Sequence, residues 1–143
     1  MRSVTEATIA DRIRASFARQ SMMGSVGARL ALIEPGYVAI EAPILDGYRQ
    51  QQGFGHGGLV FTLADTAAGY AALTTVGPES EVMTLELKIN YLAPAAGSLV
   101  AEGRVLRSGR RVIVVAADVW SVDEEGKRRQ VAAAQGTMIP VDA

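Results

Sequence analysis

Residues 56–76 have the sequence HGGLVFTLADTAAGYAALTTV, and this stretch decides the fold. It is apolar, rich in alanine and leucine, and free of proline, so we predict a buried helix rather than a strand. Between Arg49 and Glu79 the chain carries a single formal charge, Asp65. A lone carboxylate on a buried helix is costly unless it is paired, hydrated or used in chemistry. Asp65 is therefore either satisfied by a polar group across the core or part of a functional site.

The segments around this helix predict a sheet that wraps it. From Met83 to Tyr91, apolar and polar residues alternate, as in a strand with one hydrated face. Residues 43–55 predict a loop, and residues 3–19 predict an amphipathic N-terminal helix. The chain is expected to be α+β, with one long central helix wrapped by an antiparallel sheet of five to six strands, in a single domain over residues 1–143. Five further strands are predicted over residues 28–34, 37–42, 98–106, 111–122 and 128–141.

Charge and composition exclude several classes of function. The chain has 14 basic and 15 acidic side chains, and a net charge of -1 gives no field that would attract nucleic acid or an anionic membrane. With no cysteine and one histidine, we expect no disulfide, no thiol nucleophile and no metal site. The N-terminus is charged, and there is no uncharged apolar run of about 18 residues. We therefore expect a cytoplasmic protein.

Glycines surround the only histidine at the start of the predicted helix. Gly53, Gly55, Gly57 and Gly58 flank His56. The first amides of a helix have no partner within it, and together with the helix dipole they favour a developing negative charge. The pattern suits an oxyanion hole. The glycine spacing also matches a dinucleotide-binding fingerprint, but no buried strand precedes it, so we reject that interpretation.

Four segments of the chain resemble the PaaI-type acyl-CoA thioesterases. The resemblance extends from about residue 27 to the C-terminus. It implies a hot-dog fold, in which a sheet wraps one long helix, and hydrolysis of acyl-CoA thioesters with no metal and no redox cofactor. The segments that carry it are QQQGFGHGG (50–58), LADTAAGYAA (63–72), LKINYLAP (87–94) and QGTM (135–138).

The resemblance also implies the main catalytic groups. Asp65 matches the general base or nucleophile of that family. The backbone N–H of Gly57 matches the group that polarises the thioester carbonyl. His56 is implied to position the thioester rather than to act as the main base.

Supporting positions follow from the same resemblance. Gln50 stands six residues before the histidine, where the family often has Asn or Gln, although Gln51 or Gln52 could substitute if the loop shifts register. Thr84 matches a Ser or Thr that helps to hold the hydrolytic water. Gly58 is expected among the substrate-binding groups.

The spacing of two of these groups predicts a dimer. Gly57 and Asp65 are eight residues apart, which is about 12 Å along a helix. Both must lie within hydrogen-bonding reach of one thioester. Two antiparallel helices of a symmetric pair can supply one group each. We therefore predict a homodimer as the catalytic unit, and the resemblance implies that such dimers commonly pair into a homotetramer.

Three arginines crowd one predicted hairpin. Arg107, Arg110 and Arg111 surround the turn at Ser108-Gly109. One interpretation is a solvated turn. The other is a substrate-binding site for the phosphates of CoA, to which the arginine fork is suited.

A second function competes with hydrolysis. A non-catalytic hot-dog module could bind acyl-CoA without cleaving it. The presence of Asp65 argues against that function, because a pure binder has no need of the acid. The identity of the acyl group, whether aryl, phenylacetyl-like or aliphatic, is left open by the sequence.

Overall fold

The alanine-rich stretch forms the long central helix of the protein. The structure is a computed structural model that describes residues 4–143, with side chains described from Thr8 onward. The helices are α1 (Val4–Ala18), α2 (Ser21–Ser25) and α3 (Gly57–Leu73), and a single 3-10 turn spans Asp46–Tyr48. The strands are β1 (Arg29–Glu34), β2 (Tyr37–Pro43), β3 (Ser80–Tyr91), β4 (Ser98–Ser108), β5 (Ile113–Val122) and β6 (Arg128–Asp142).

All six strands form one antiparallel sheet around α3. Their order is β1-β2-β4-β5-β6-β3, so β4 and β5 are central and β1 and β3 lie at the edges. Helix α3 packs against every strand except β1 in the contacts described. Its buried side is made of small residues, among them Ala64, Ala67, Ala68 and Ala71, which have no solvent exposure. The predicted α+β architecture is confirmed, with six strands.

A glycine in β4 lets the helix approach the sheet. Gly103 lies directly beneath α3, and a Cβ atom placed there would lie 2.3 Å from the carbonyl carbon and oxygen of Ala67 and 2.4 Å from the nitrogen of Ala68. Those neighbours are backbone atoms of a helix, so they cannot rotate away. Only glycine fits where two backbones come this close.

Strand β3 contains a bulge that the alternating sequence did not reveal. Thr84 pairs with Met138 and Glu86 pairs with Thr137, which leaves Leu85 as the extra residue. A single extra residue reverses the face to which later side chains point. Thr84 therefore lies on the helix side before the bulge and Tyr91 lies on the helix side after it. The prediction of uniform alternation from Met83 to Tyr91 is wrong at Thr84, which it placed on the hydrated face.

Several element boundaries differ from the predictions. Helix α3 ends at Leu73 rather than near Val76, because the hydroxyls of Thr74 and Thr75 donate to the carbonyls of Ala71 and Ala72 at 2.6 and 2.7 Å. Helix α2 was not predicted. The N-terminal helix predicted over residues 3–19 is α1, and Ser3 lies outside the described residues.

No helix within residues 4–143 is long and apolar enough to cross a membrane.

Candidate active site

Asp65 lies on the open side of α3 and faces β3. Its carboxylate is half-buried, and its Oδ1 accepts a hydrogen bond of 2.8 Å from the hydroxyl of Thr84. None of the ion pairs formed by residues 8–143 includes Asp65. The carboxylate is therefore oriented by a neutral donor and keeps its second oxygen free. Two predicted site residues, 19 positions apart, are brought together here.

A cleft of about 240 Å³ opens beside this carboxylate. Helix α1 and Gln20 form one wall, α3 forms the floor and β3 forms the other wall. The residues that line it are Ser16, Gln20, Asp65, Thr66, Gly69, Tyr70, Leu73, Glu81, Val82 and Thr84.

The N-terminus of α3 has one free amide. His56 caps the helix, and its Nδ1 accepts a hydrogen bond of 2.8 Å from the N–H of Gly58. The amides of Leu59 and Val60 bond to the carbonyl of His56. The N–H of Gly57 has no acceptor among residues 4–143. A free amide at this end of a helix can receive a developing oxyanion.

The predicted substrate-binding amide of Gly58 is thus occupied by the cap. The same contact makes Nδ1 of His56 an acceptor, so a neutral imidazole carries its proton on Nε2. The Nε2–H of His56 can therefore donate a hydrogen bond to a group outside the helix, which suits a residue that positions the thioester.

Tyr91 braces the same end of the helix, and no sequence pattern singled it out. Its hydroxyl donates to the carbonyl of Gly57 at 2.8 Å. A Cβ atom at position 57 would lie 3.2 Å from the tyrosine ring. Burial raises the pKa of Tyr91, so its hydroxyl stays protonated and can donate. After the bulge, β3 therefore supports the helix N-terminus, and before the bulge it supports Asp65.

The predicted catalytic acid and the N-terminus of α3 border different cavities of one chain. Asp65 and Thr84 border the 240 Å³ cleft. His56 and Gly58 border a second, mostly apolar cavity of about 340 Å³, together with Met22, Tyr48 and other residues of α2 and the loop before α3. Within one chain the acid and the helix N-terminus are therefore not part of the same pocket.

Gln50 lines neither of these two cavities. Its side-chain oxygen accepts hydrogen bonds from the backbone N–H groups of Gln52 and Phe54, at 2.6 and 3.3 Å. The amide thus holds its own loop together. The catalytic role of Gln50 stays a prediction, as does its replacement by Gln51 or Gln52, which are exposed.

The arginine-rich turn lies near the C-terminal end of α3. Ser108 and Thr75 share a hydrogen bond of 3.0 Å between their hydroxyls. Arg107, Arg110 and Arg111 are exposed, and none of them forms an ion pair with a residue that the structure describes. The turn therefore presents unpaired positive charge.

No cluster of three or more metal-ligating side chains occurs among the described residues.

Solved structures define the class of protein. A thioesterase family protein from Silicibacter pomeroyi is 34% identical, covers 94% of this chain and 99% of its own, and superposes with a TM-score of 0.91. The PaaI protein from the phenylacetic acid degradation operon of E. coli is 20% identical, covers 97% of each chain, and has a TM-score of 0.85, a likeness that concerns the fold. The fold is the hot-dog fold of thioester hydrolases, as predicted.

Sequence comparisons define the family. The model of the thioesterase superfamily matches residues 52–127, more than half of the chain, and the chain belongs to that superfamily. A candidate esterase from Saccharolobus solfataricus is 38% identical over a segment that spans 66% of each chain. The 1,4-dihydroxy-2-naphthoyl-CoA hydrolase of Listeria monocytogenes is 26% identical over 68% of this chain and 76% of its own. The predicted enzyme class, a thioester hydrolase, is confirmed.

Proposed function

We propose that the protein hydrolyses acyl-CoA thioesters, with Asp65 as the general base or nucleophile. The observation that carries this proposal is the half-buried, unpaired carboxylate of Asp65, oriented by Thr84 at the mouth of a cleft. The Listeria relative, which is named as a hydrolase of a CoA thioester, supports CoA as the thiol.

The groups described account for each part of the reaction. As a base, Asp65 takes a proton from water while the water oxygen bonds to the thioester carbon. The carbonyl oxygen gains negative charge, which the Gly57 N–H stabilises at the positive end of the helix. The C–S bond then breaks, and the CoA thiolate leaves and takes the proton that Asp65 removed from water. Thr84 holds the carboxylate, and His56 positions the thioester.

A second copy of the chain completes the site in this proposal. Asp65 borders the 240 Å³ cleft, whereas His56 and Gly58, the neighbours of Gly57, border the other cavity. In this proposal the Gly57 amide that serves Asp65 therefore comes from a partner chain. Strand β3 supports such pairing, since its 12 residues lie at the edge of the sheet and none is fully buried. Met83 and Leu85 on this strand are 55% and 58% exposed. A long edge strand with exposed apolar side chains favours addition of another strand, and a homodimer would cover these side chains. The homotetramer stays a prediction.

Mixed dimers test the shared site. Gly57→Pro removes the amide N–H at the first helical position, where the proline backbone is tolerated. Its Cβ atom would lie 3.2 Å from the Tyr91 ring, which must shift slightly, so thermal melting of the variant checks the fold. We expect Gly57→Pro to lower kcat by about 10²-fold or more. Asp65→Ala removes the acid. When the two inactive variants are unfolded together and reassembled, half of the dimers are mixed, and each mixed dimer has one intact site. About one quarter of wild-type activity is therefore expected from a symmetric pair.

The measurement is thiol release before and after mixing, with each variant refolded alone as the control. Absence of recovered activity, although mass spectrometry detects mixed dimers, would mean that each chain holds its own complete site.

The arginine-rich turn gives a separate prediction about the CoA moiety. Replacing Arg107, Arg110 and Arg111 together with glutamine is expected to raise KM for acyl-CoA by about tenfold, because charge-assisted contacts to phosphate are lost. Hydrolysis of the matching acyl-N-acetylcysteamine, which has no phosphate, should be unchanged. Arg129→Gln, an exposed arginine outside this turn, serves as the control. An equal effect on both thioesters would contradict phosphate binding.

A thiol-release assay over a panel of acyl-CoA thioesters tests the proposed function as a whole. Release of free CoA by the wild-type protein supports it. The non-catalytic alternative predicts saturable binding of the same thioesters with no release from any of them. The cytoplasmic location and the single domain over residues 1–143 stay predictions.

A further inference from the structure

The cleft beside Asp65 is bounded at the end remote from Asp65 by Ser16 of α1 and by Gln20. Asp65 and Thr84 stand at one end. Tyr70 lies five residues further along α3, about 8 Å from Asp65 along the helix axis. There Ser16 and Gln20 meet it across the cleft. The floor between the two ends is the half-exposed Thr66 and Gly69.

A single phenol hydroxyl organises this far end. The hydroxyl of Tyr70 shares a hydrogen bond of 3.0 Å with the hydroxyl of Ser16 and accepts one of 2.7 Å from Nε2 of Gln20. The ring of Tyr70 is 5% exposed and packs against Phe17, with centroids 6.1 Å apart. This end of the cleft is therefore polar, and Leu73 and Val82 supply apolar parts of its lining.

A second set of contacts fixes α1 in place. Arg12 donates to the carbonyl of Gly77 at 2.9 Å and also to the carbonyl of Ser80, and it lies 3.8 Å from the carboxylate of Glu81. These partners lie just before β3 and at its start. Helix α1 is thus tied both to α3 and to β3, and it forms a fixed wall rather than a loose flap.

The volume of the cleft limits what fits in it. A cavity of about 150 Å³ accommodates one benzene molecule. The cleft measures about 240 Å³. This cleft is open to solvent on one side. Within one chain it has room for one substituted ring or an aliphatic chain of similar bulk, and a long fatty acyl chain would extend out of it.

This inference rests on the proposed function. A thioester held at Asp65 directs its acyl group either out of the site or into this cleft. We propose that the acyl group enters the cleft and that Ser16 and Gln20, held by Tyr70, select its distal end. The preferred substrates are compact acyl groups that carry a hydrogen-bonding group at the end remote from the thioester. Ser16 and Gln20 are then specificity-determining residues, contributed by a segment that precedes the sheet.

A purely structural role for the same contacts makes a different prediction. If Ser16 and Gln20 only anchor α1, their replacement lowers stability and changes activity on all acyl groups in the same proportion. A change in the ratio of kcat/KM between two acyl groups is not expected from anchoring alone. Selectivity is therefore the decisive measurement.

The experiment compares hexanoyl-CoA, 6-hydroxyhexanoyl-CoA and decanoyl-CoA. We expect the wild-type protein to prefer the hydroxylated chain by about fivefold, the effect of one net hydrogen bond. Gln20→Leu keeps the bulk of the side chain but removes the amide, and it should abolish or reverse that preference. Gln20→Ala opens the end of the cleft and should raise activity on decanoyl-CoA relative to hexanoyl-CoA. Ser16→Ala should weaken the preference for the hydroxyl.

The control is Gln135→Leu, which replaces an exposed glutamine on β6. It should leave both ratios unchanged. Thermal melting of each variant checks the fold, and the alanine variants serve if Gln20→Leu does not fold. If the Gln20 and Ser16 variants hydrolyse the thioesters with the same ratios of kcat/KM between acyl groups as the wild-type protein, this inference is overturned. The proposed function would still stand. Absence of thiol release from all three thioesters with the wild-type protein would overturn both.

Discussion

Replacing Asp65 with alanine is expected to lower kcat/KM for acyl-CoA by about 10³-fold while the fold and the oligomer persist. A positioned acid or base contributes about 10²–10⁴-fold to such reactions. Glu81 also lines the cleft, but its carboxylate lies 3.8 Å from the guanidinium of Arg12, whereas Asp65 belongs to none of the ion pairs of the described residues and is held by Thr84. The side chain is half-buried on the open side of α3, and its removal leaves the alanine-rich packing face untouched.

Asp65→Asn sharpens this prediction, because the amide has the same shape and can still accept the hydrogen bond from Thr84. Thiol release measures the activity, and circular dichroism and mass in solution measure the fold and assembly. Asp11→Asn, an exposed carboxylate on α1, is the matched control. Near-wild-type turnover by Asp65→Ala would remove this residue from the mechanism.

Replacing Gly103 with alanine is expected to destabilise the protein by about 3 kcal/mol or more. The added Cβ atom would lie 2.3 Å from the backbone of Ala67, a distance that real side chains do not adopt. The helix would have to move off the sheet, and overpacking of this kind costs about 1–3 kcal/mol even where side chains can adjust. Here the obstructing atoms are backbone, so the cost lies at or above that range.

Thermal unfolding measures this effect, and a fall in Tm of about 10 °C is expected for a chain of this size. Gly24→Ala is the matched control, since a Cβ atom at that position has no neighbour within 4 Å. An unchanged Tm in Gly103→Ala would show that α3 can shift without loss of packing. Because Asp65 lies on the same helix, any such shift should also lower activity.

Much of the fold could be predicted because composition and periodicity encode it locally. The alanine-rich, almost uncharged segment identified α3, and alternation or apolar runs identified the strands. Helix α2 was missed because its five residues include Gly24 and are too few to show a helical period. The need for glycine at position 103 could not be predicted either, since it depends on contacts with Ala67 and Ala68, which are distant in the chain.

The site was predictable in its parts but not in its arrangement. The lone charge identified Asp65, and the glycines around His56 identified the helix N-terminus. The contact between Thr84 and Asp65 follows from the bulge at Leu85, and alternation alone placed Thr84 on the opposite face. The side-chain oxygen of Gln50 accepts hydrogen bonds from backbone amides of its own loop, and no residue pattern in the sequence specifies those contacts.

Because of the bulge at Leu85, the site depends on the number of residues in β3 as well as on their identity. Upstream of it, even-numbered positions of β3 face the helix, and downstream of it, odd-numbered positions do. Deleting one residue between Thr84 and Tyr91 would preserve every functional side chain and still turn one of these two residues away from α3. A relative that retains aspartate, threonine and tyrosine but differs by one residue in this interval would therefore have a different site. Residue identity alone is not sufficient to transfer the function; the number of residues between the matched positions must also agree.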